Sequence, residues 1–466
     1  MENSKLWNLI ISFSVTHIRE AGRFIKSPYF NRKDYLINLW QYLEKAYQSN
    51  KEPVYEKAFR QTFIGEVYHL RKLILAMSDL YKLLLHFLAI KEIENEEEYI
   101  SYLQVKALRK LGQEKFAKQN INAAKQVLER HQKLGSKPLQ VNYELEMEQY
   151  IMEYSSKPAD VSMLQQIADA ADAALICAKL RQSCLAIAHQ TVYPGDHHLG
   201  ITEILLAYLK ESELLKLADV AIYYHCFLML GVHKKEVHFR KFKDLLLQHH
   251  ASFDTNETRD LFLMGINYGI RKVNNGEERY FEDIMRLYEV SLEGDHLLEN
   301  GLLSRFTYYN IVAVALRTER FDWGENFIYQ YRSKLAKPYR ESSFSFCKAR
   351  LAYAKKEFDE ALPLLQKANY KDPLLNLSAK TLLLKIYYEL DEFDLLQAHL
   401  DAMQNYILRK KVIGYHKTNY LNTIRYTKRL LSLNYYDKVS IKKLRKKLDE
   451  EEILTEKRWM LSQLER

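Results

Sequence analysis

The side chains whose types and spacing invite chemistry gather in three places. His189, His197 and His198 surround Asp196 beside Pro194 and Gly195, and imidazoles with a carboxylate could hold a divalent cation. A tight site needs three or four ligands in fixed geometry, which neighbouring histidines on a loop do not supply. The stretch therefore reads as solvated polar loop, and neither metal nor cofactor is expected. Acidic runs at Glu96-Glu97-Glu98 and from Asp449 to Glu452 could do acid–base work only in a pocket that set their proton affinities apart. On exposed helix starts they complement the helix dipole or solvate a face, and no catalytic residue is assigned. His249-His250, ahead of Asp254, is expected to end a helix.

The third place carries charge. The chain has a net charge of +9, and between Asn405 and Lys447 the only acid is Asp437. The basic residues there are Arg409, Lys410, Lys411, Lys417, Arg425, Lys428, Arg429, Lys438, Lys442, Lys443, Arg445, Lys446 and Lys447, interleaved with Tyr406, Tyr415, Tyr420, Tyr426, Tyr435 and Tyr436. A positive field with aromatic platforms suits a phosphate backbone and its bases, an acidic peptide or an anionic membrane surface. The same pattern is what a terminal helix cap needs, with Tyr and Leu packed inward and Lys and Arg keeping the outer face soluble. Ile441, Leu444 and Leu448 form one apolar stripe, and Ile453, Leu454, Trp459, Leu461 and Leu464 are too apolar for a free tail, so this region is expected to dock on the body or on a partner.

Sequence patterns that specify reactions are missing: no GxxxxGK[ST], GxGxxG, GxSxG or HExxH occurs, and no calcium loop of alternating acids. This weighs against an enzyme, although a site assembled from distant residues stays open as an alternative. Cys177, Cys184, Cys226 and Cys347 form no CxxC pair and read as free thiols in a reducing compartment, hence the cytoplasm. The apolar run Leu6 to Val15 is interrupted by Asn8, Ser12 and Ser14 and lacks a cleavage signature. Leu217 to Val232 carries Asp219 and His225, so no membrane span is expected.

The elements that must position these residues are helices. Only 14 Gly and 8 Pro occur in 466 residues, too few for a fold of many tight turns, while 34 Tyr suit wide half-buried helical seams. Residues 1–95 are expected to form a bundle of four helices, with apolar residues at Leu6, Leu9, Ile10, Phe13, at Leu36, Leu39, Trp40, Leu43 and at Leu70, Leu73, Ile74, Met77. Pro28 and Asn31 separate the first helix from the second, and the Leu- and Phe-rich Leu80 to Ile90 is expected to be buried on most sides. Residues 96–195 continue the stack as long helices, through a loop at Ser155 to Pro158 and a cap at Asp160 or Ser162. Thr191 to Gly200 is the clearest internal break. Residues 196–436 alternate helices with short polar turns, and 437–466 form capping helices.

Self-similarity appears in that third segment. Arg320-Phe321-Asp322-Trp323-Gly324, Glu357-Phe358-Asp359-Glu360-Ala361 and Glu392-Phe393-Asp394-Leu395-Leu396 each follow one amphipathic helix and open another. Their phenylalanines stand 37 and 35 residues apart, and Phe239 and Tyr280 precede them at a looser spacing of 41. The segment Ala349 to Pro373, ARLAYAKKEFDEALPLLQKANYKDP, resembles a tetratricopeptide repeat, with small residues at Ala349, Ala361 and Ala368, large ones at Phe358 and Leu365, and Asp372-Pro373 closing the unit. Pro363 is expected in the first turn of its helix, where its missing N–H costs nothing. In the adjoining units Leu384, Leu396 and Met403, or Val312 and Tyr331, replace the small residues, and Gly324 keeps one. FIKSPYFNR near the start and EKRWMLSQLE near the end make the whole chain similar to bacterial helical-repeat proteins. The resemblance implies an all-α fold, an α-solenoid of stacked antiparallel helix pairs, and supplies no activity. Such a fold is expected to serve as a non-catalytic scaffold holding a protein or peptide on its surface, with Tyr308, Tyr309, Tyr353, Tyr387 and Tyr388 as candidate contacts. Nucleic-acid or acidic-partner binding through 405–447 is the alternative.

Overall fold

Apolar residues recurring every three to four positions fold as helices nearly everywhere they occur. The computed structural model describes all residues except 2, 155–160, 191–194, 196–197, 232–235, 368–371, 410–413 and 466. Among the described residues the chain is all-helical, apart from a short antiparallel pair of strands, β1 (Leu298–Glu299) and β2 (Leu302–Leu303). It divides into two compact units, one of Met1–Gln182 with Ala207–Val220 and one of Ser183–Leu206 with Ala221–Arg466.

The first unit opens with α1 (Lys5–Ile11), α2 (Val15–Lys26), α3 (Asp34–Gln48), α4 (Tyr55–Thr62) and α5 (Leu70–Glu94). Five helices form where four were expected, because Ser14 cuts the first apolar run: its hydroxyl accepts the His17 amide at 3.1 Å and caps α2. Asn31 builds the next turn, donating to the Ile25 carbonyl at 2.9 Å and accepting from the Lys33 amide at 2.9 Å. Leu6, Ile10, Trp40, Phe59 and Leu80 are central in the core. The expectation that α5 is buried on most sides is corrected. Leu73, Leu80, Leu84 and Phe87 face inward, but Ile74 and Leu85 are exposed and Leu75 is 67% exposed. Among the described residues α5 alone is long and apolar enough to cross a membrane by length and composition.

Three further helices, α6 (Glu97–Lys110), α7 (Glu114–His131) and α8 (Ser136–Tyr154), share a second core around Val105, Ile121 and Leu145. Glu98 is not a solvating residue on a helix start. It is buried, and it takes His131 Nδ1 and Lys133 Nζ at 2.8 Å each. The division between units runs through α9 (Val161–Gln190), α10 (Thr202–Leu209) and α11 (Ala218–Leu230). Within the break expected at Thr191–Gly200, residues 191–194, 196 and 197 lie outside the described residues, as does Asp160.

The second unit continues with α12 (Glu236–His249), α13 (Thr255–Asn274), α14 (Tyr280–Glu293), α15 (Arg305–Arg317), α16 (Phe321–Gln330), α17 (Lys337–Ala354), α18 (Phe358–Lys367), α19 (Pro373–Glu389), α20 (Phe393–Arg409), α21 (Gly414–Leu431), α22 (Lys438–Glu450) and α23 (Lys457–Gln463). Helices pack as sequential pairs, α13 with α14, α15 with α16, α17 with α18 and α19 with α20, and α15 also packs on α17 and α17 on α19. The aromatic residues singled out by spacing are structural: Tyr280, Phe321, Phe358 and Phe393 each begin the second helix of a pair.

One turn recurs ahead of three of them. Glu319 (φ 57°), Lys356 (φ 64°) and Asp391 (φ 59°) stand two residues before Phe321, Phe358 and Phe393 in left-handed backbone. The next amide then reaches back over the finished helix, Arg320 to the Ala315 carbonyl at 2.9 Å, Glu357 to Ala352 at 2.8 Å and Glu392 to Tyr387 at 3.0 Å. This double reversal satisfies last-turn carbonyls and redirects the chain within two residues.

Small residues set the spacing inside pairs. A Cβ on Gly324 of α16 would lie 3.4 Å from Ala315 Cβ of α15. Ala349 and Ala361 are fully buried, whereas Ala368 lies outside the described residues. Pro363 is not in the first turn of α18 but at its sixth residue. Its ring removes the bond to the Asp359 carbonyl, which sits on an exposed residue and can turn to solvent.

Candidate binding groove

Four alternate helices of the second unit, α15, α17, α19 and α21, each turn one stripe of residues to a common groove of ≈ 680 Å³. The stripes follow helical spacing: Phe306, Tyr309, Ala313 and Leu316 on α15, Phe346, Arg350 and Tyr353 on α17, Ser378, Leu382 and Lys385 on α19, and His416, Asn419, Tyr420 and Thr423 on α21. At 3.6 residues per turn, positions three and four apart share one helix face, so each row lies on a single side of its helix. The second helices of the pairs contribute no lining residue.

Most polar groups of the lining hold one another. Arg305 pairs with Asp372 at 3.2 Å, and Asp372 also caps α19 by accepting the Leu375 amide at 2.9 Å. Lys385 meets Glu456 at 3.0 Å, and Asn419 accepts the Thr455 amide and hydroxyl at 2.7 and 2.8 Å. The Tyr309 and Ser343 hydroxyls share a hydrogen bond of 2.8 Å, and Ser378 shares one of 3.2 Å with Tyr420. Burial holds the Tyr309 and Tyr420 phenols above their ordinary value.

Arg350 differs. Its hydrogen bond is a long one, 3.4 Å from Nη1 to the Tyr309 carbonyl, and among the described residues no carboxylate pairs with it. Its guanidinium carbon lies 5.7 Å from the Phe346 ring centre. Burial pulls its proton affinity below the ordinary arginine value, with Cys347 and Glu456 opposing. An arginine stays charged even so. Among the described residues the groove therefore holds a cation with no carboxylate in ion-pair contact, Glu456 acting on it only from a distance.

The chain matches no protein-family model, no curated protein and no solved structure.

The tyrosines expected at the surface divide. Tyr309 and Tyr353 line the groove. Tyr308 is fully buried and donates to the Ile328 carbonyl at 2.8 Å. Tyr388 is buried, with its hydroxyl 2.6 Å from that of Tyr435 and its ring edge-on to Trp459. Tyr387 packs against the same core and stands edge-on to His399. Tyr353 is tied by its hydroxyl to Glu389, which also accepts from Lys356 Nζ at 2.5 Å and Trp459 Nε1 at 2.9 Å. Burial alone would raise the Glu389 carboxyl, yet these donors hold it below its ordinary value. Phe306, Arg350, Leu382, Lys385 and Asn419 were not among the expected contacts. Their signal was the three-to-four stripe on alternate helices, with Arg350 inside the repeat-like segment itself.

The basic stretch is less bare than its count suggests. Arg425 pairs with Glu451, Lys428 with Asp401, Arg445 with Glu465 and, more loosely at 3.8 Å, Lys446 with Glu450. Every one of those acids lies outside the window that was counted. Arg429 sits over the Tyr426 ring, and Arg409 reaches the Asn405 carbonyl. Lys417, Lys442, Lys443 and Lys447 are exposed, and Lys410 and Lys411 lie outside the described residues. Leu444 and Leu448 of α22 and Trp459, Met460 and Leu464 at α23 are buried in one core with Leu400. Among the described residues no group of three or more His, Cys, Asp or Glu side chains is placed to hold a metal, and Asp196 and His197 lie outside them.

Proposed function

We propose that this chain is a non-catalytic interaction scaffold, a tetratricopeptide-like solenoid of stacked helix pairs that holds a protein or peptide partner. The observation that carries the reading is the groove: four alternate helices donate one stripe each to a single continuous recess. Successive pairs that each bury one face and offer the other make a rigid surface, which lowers the ordering cost of binding. The recess is rich in aromatic and aliphatic groups, and most of its polar groups already have fixed partners. Both features support recognition by shape over bond-making. All four cysteines are buried thiols, which supports a reducing compartment such as the cytoplasm.

The test uses the full chain as bait with quantitative mass spectrometry. Phe306 is 61% exposed at the groove, so Phe306→Glu changes the surface with little effect on packing. A partner retained by the native chain and by K442Q/K443Q but lost by F306E is expected. Partners that ignore Phe306→Glu would move the binding surface elsewhere and overturn the reading.

A further inference from the structure

We infer that the groove of α15, α17, α19 and α21 selects an acidic peptide segment, seating one Asp or Glu side chain against Arg350 while apolar neighbours pack on Phe306, Tyr309 and Leu382. The inference rests on the scaffold reading above and adds the chemistry of the partner.

Charge complementarity carries it. Four permanent cations line the groove, Arg305, Arg317, Arg350 and Lys385, against two acids, Asp372 and Glu456. Three of the cations have acids of their own: Arg305 has Asp372, Lys385 has Glu456, and Arg317 has Glu278 at 3.1 Å. Arg350 is left over. It projects from the C-terminal part of α17, in a lining that α15 and α19 also supply, so an anion reaching it meets residues of all three helices. A half-buried guanidinium without an acid partner is costly to hold, and pairing it removes that cost. Its fork of N–H donors matches the two oxygens of a carboxylate.

The same inventory argues for a peptide over nucleic acid. A phosphate backbone repeats its charge and asks for a row of free cations. Here, among the described residues, one cation without an ion-paired acid stands among rings and aliphatic groups, with Asp372 and Glu456 fixed in the same lining. One carboxylate flanked by apolar side chains fits that pattern. Phe306, 61% exposed, and Leu374, 39% exposed, offer the apolar contact at the mouth. The Phe346 ring centre lies 5.7 Å from the guanidinium carbon, close enough for a weak cation–π contact.

The experiment selects twelve-residue random peptides displayed on phage against the immobilised full chain. The best binder is then synthesised with its acid and with the matching amide, and both are measured by fluorescence polarisation. Enrichment of one Asp or Glu at a fixed position between apolar residues is expected. Exchange of that acid for its amide should weaken binding to the native chain tenfold or more. Arg350→Gln should weaken the acidic peptide by a similar factor and bind acid and amide alike, and R350K should fall between. The acid-to-amide exchange on the native chain decides the matter even where R350Q folds poorly. Peptides that enrich on the groove, are lost with Phe306→Glu and show no acidic position would overturn this inference and leave the scaffold reading standing. No enrichment at all would overturn both. Tight binding of a dT20 oligonucleotide that depends on Arg350 would assign the cation to phosphate and also overturn it.

Discussion

Two residues one turn apart on α17 do opposite work. Among the described residues Arg350 has no acid in ion-pair contact, while Tyr353 hands its hydroxyl to a carboxylate answered three times over. Glu389 ties α17, through Tyr353 and Lys356 just beyond its end, to the Trp459 indole of α23. Its side chain is 4% exposed, so each donor it loses leaves a buried group unpaired. Glu389→Gln keeps the volume and removes the charge that three donors share. We expect a loss of about 1–3 kcal/mol in urea unfolding, with Trp459 fluorescence changing before the main transition. An unaltered midpoint would show that the tie contributes nothing. Neither role could be read along the chain. Arg350 lies in the most repeat-like segment, but lacking an acid among the described residues is a fact about α15 and α19, helices that begin more than 20 residues away along the chain. The charge count over 405–447 misses pairing for the same reason, since Asp401, Glu451 and Glu465 meet Lys428, Arg425 and Arg445 from outside the window.

Helices and their turns were far more legible. The segments around Phe321, Phe358 and Phe393 were expected to open helices, and α16, α18 and α20 start in them. The turn ahead of each was hidden, because its left-handed position is filled by Glu319, Lys356 and Asp391 and not by the glycine that would announce it. A side chain in that conformation costs about 1 kcal/mol. Glu319→Gly should therefore raise stability by about 0.5–1 kcal/mol, read as a higher midpoint at equal m-value. A lower midpoint would mean that the Glu319 side chain stabilises the turn by a contact of its own. Glycines inside α13 act the other way. A Cβ at Gly265 would stand 3.0 Å from Phe242 of α12 and 3.2 Å from Leu287 of α14, and one at Gly269 only 2.6 Å from Ile284 of α14, so their spacing of one turn lets both helices lie close. Gly269→Ala should cost about 1–3 kcal/mol although alanine is the better helix former. A stabilised G269A would show that α14 can move away without loss. These glycines gave no periodic signal, since a residue without a side chain is invisible to a search for apolar stripes.

At the scale of the second unit, histidine pairs make the fold sensitive to acid. His225 Nδ1 lies 3.0 Å from His238 Nδ1 between α11 and α12, and His250 Nδ1 lies 3.2 Å from His296 Nε2 beside α13 and α14. Each contact needs a neutral ring to accept, and two charged rings would repel. Burial, with His238 and Lys241 nearby, lowers His225 to about 4, and burial also lowers His250 and His296, opposed by Glu293 and Asp295 respectively. An unfolded histidine titrates near 6.5. Between about 4 and 6.5 the unfolded chain thus binds protons that the folded unit refuses, and stability falls as pH falls through that window. Above it the contribution is fully retained. His225 is partly open to solvent, so screening limits its share to about 1–2 kcal/mol. Carboxylates held low, such as Glu389, lose their contribution at more acid pH, so the comparison belongs between pH 5 and 7. Urea midpoints should drop across that range for the native chain and drop less for His225→Gln, which cannot take up the proton. Parallel slopes for the two proteins would remove His225 from the titration and place the acid sensitivity at the His250–His296 contact.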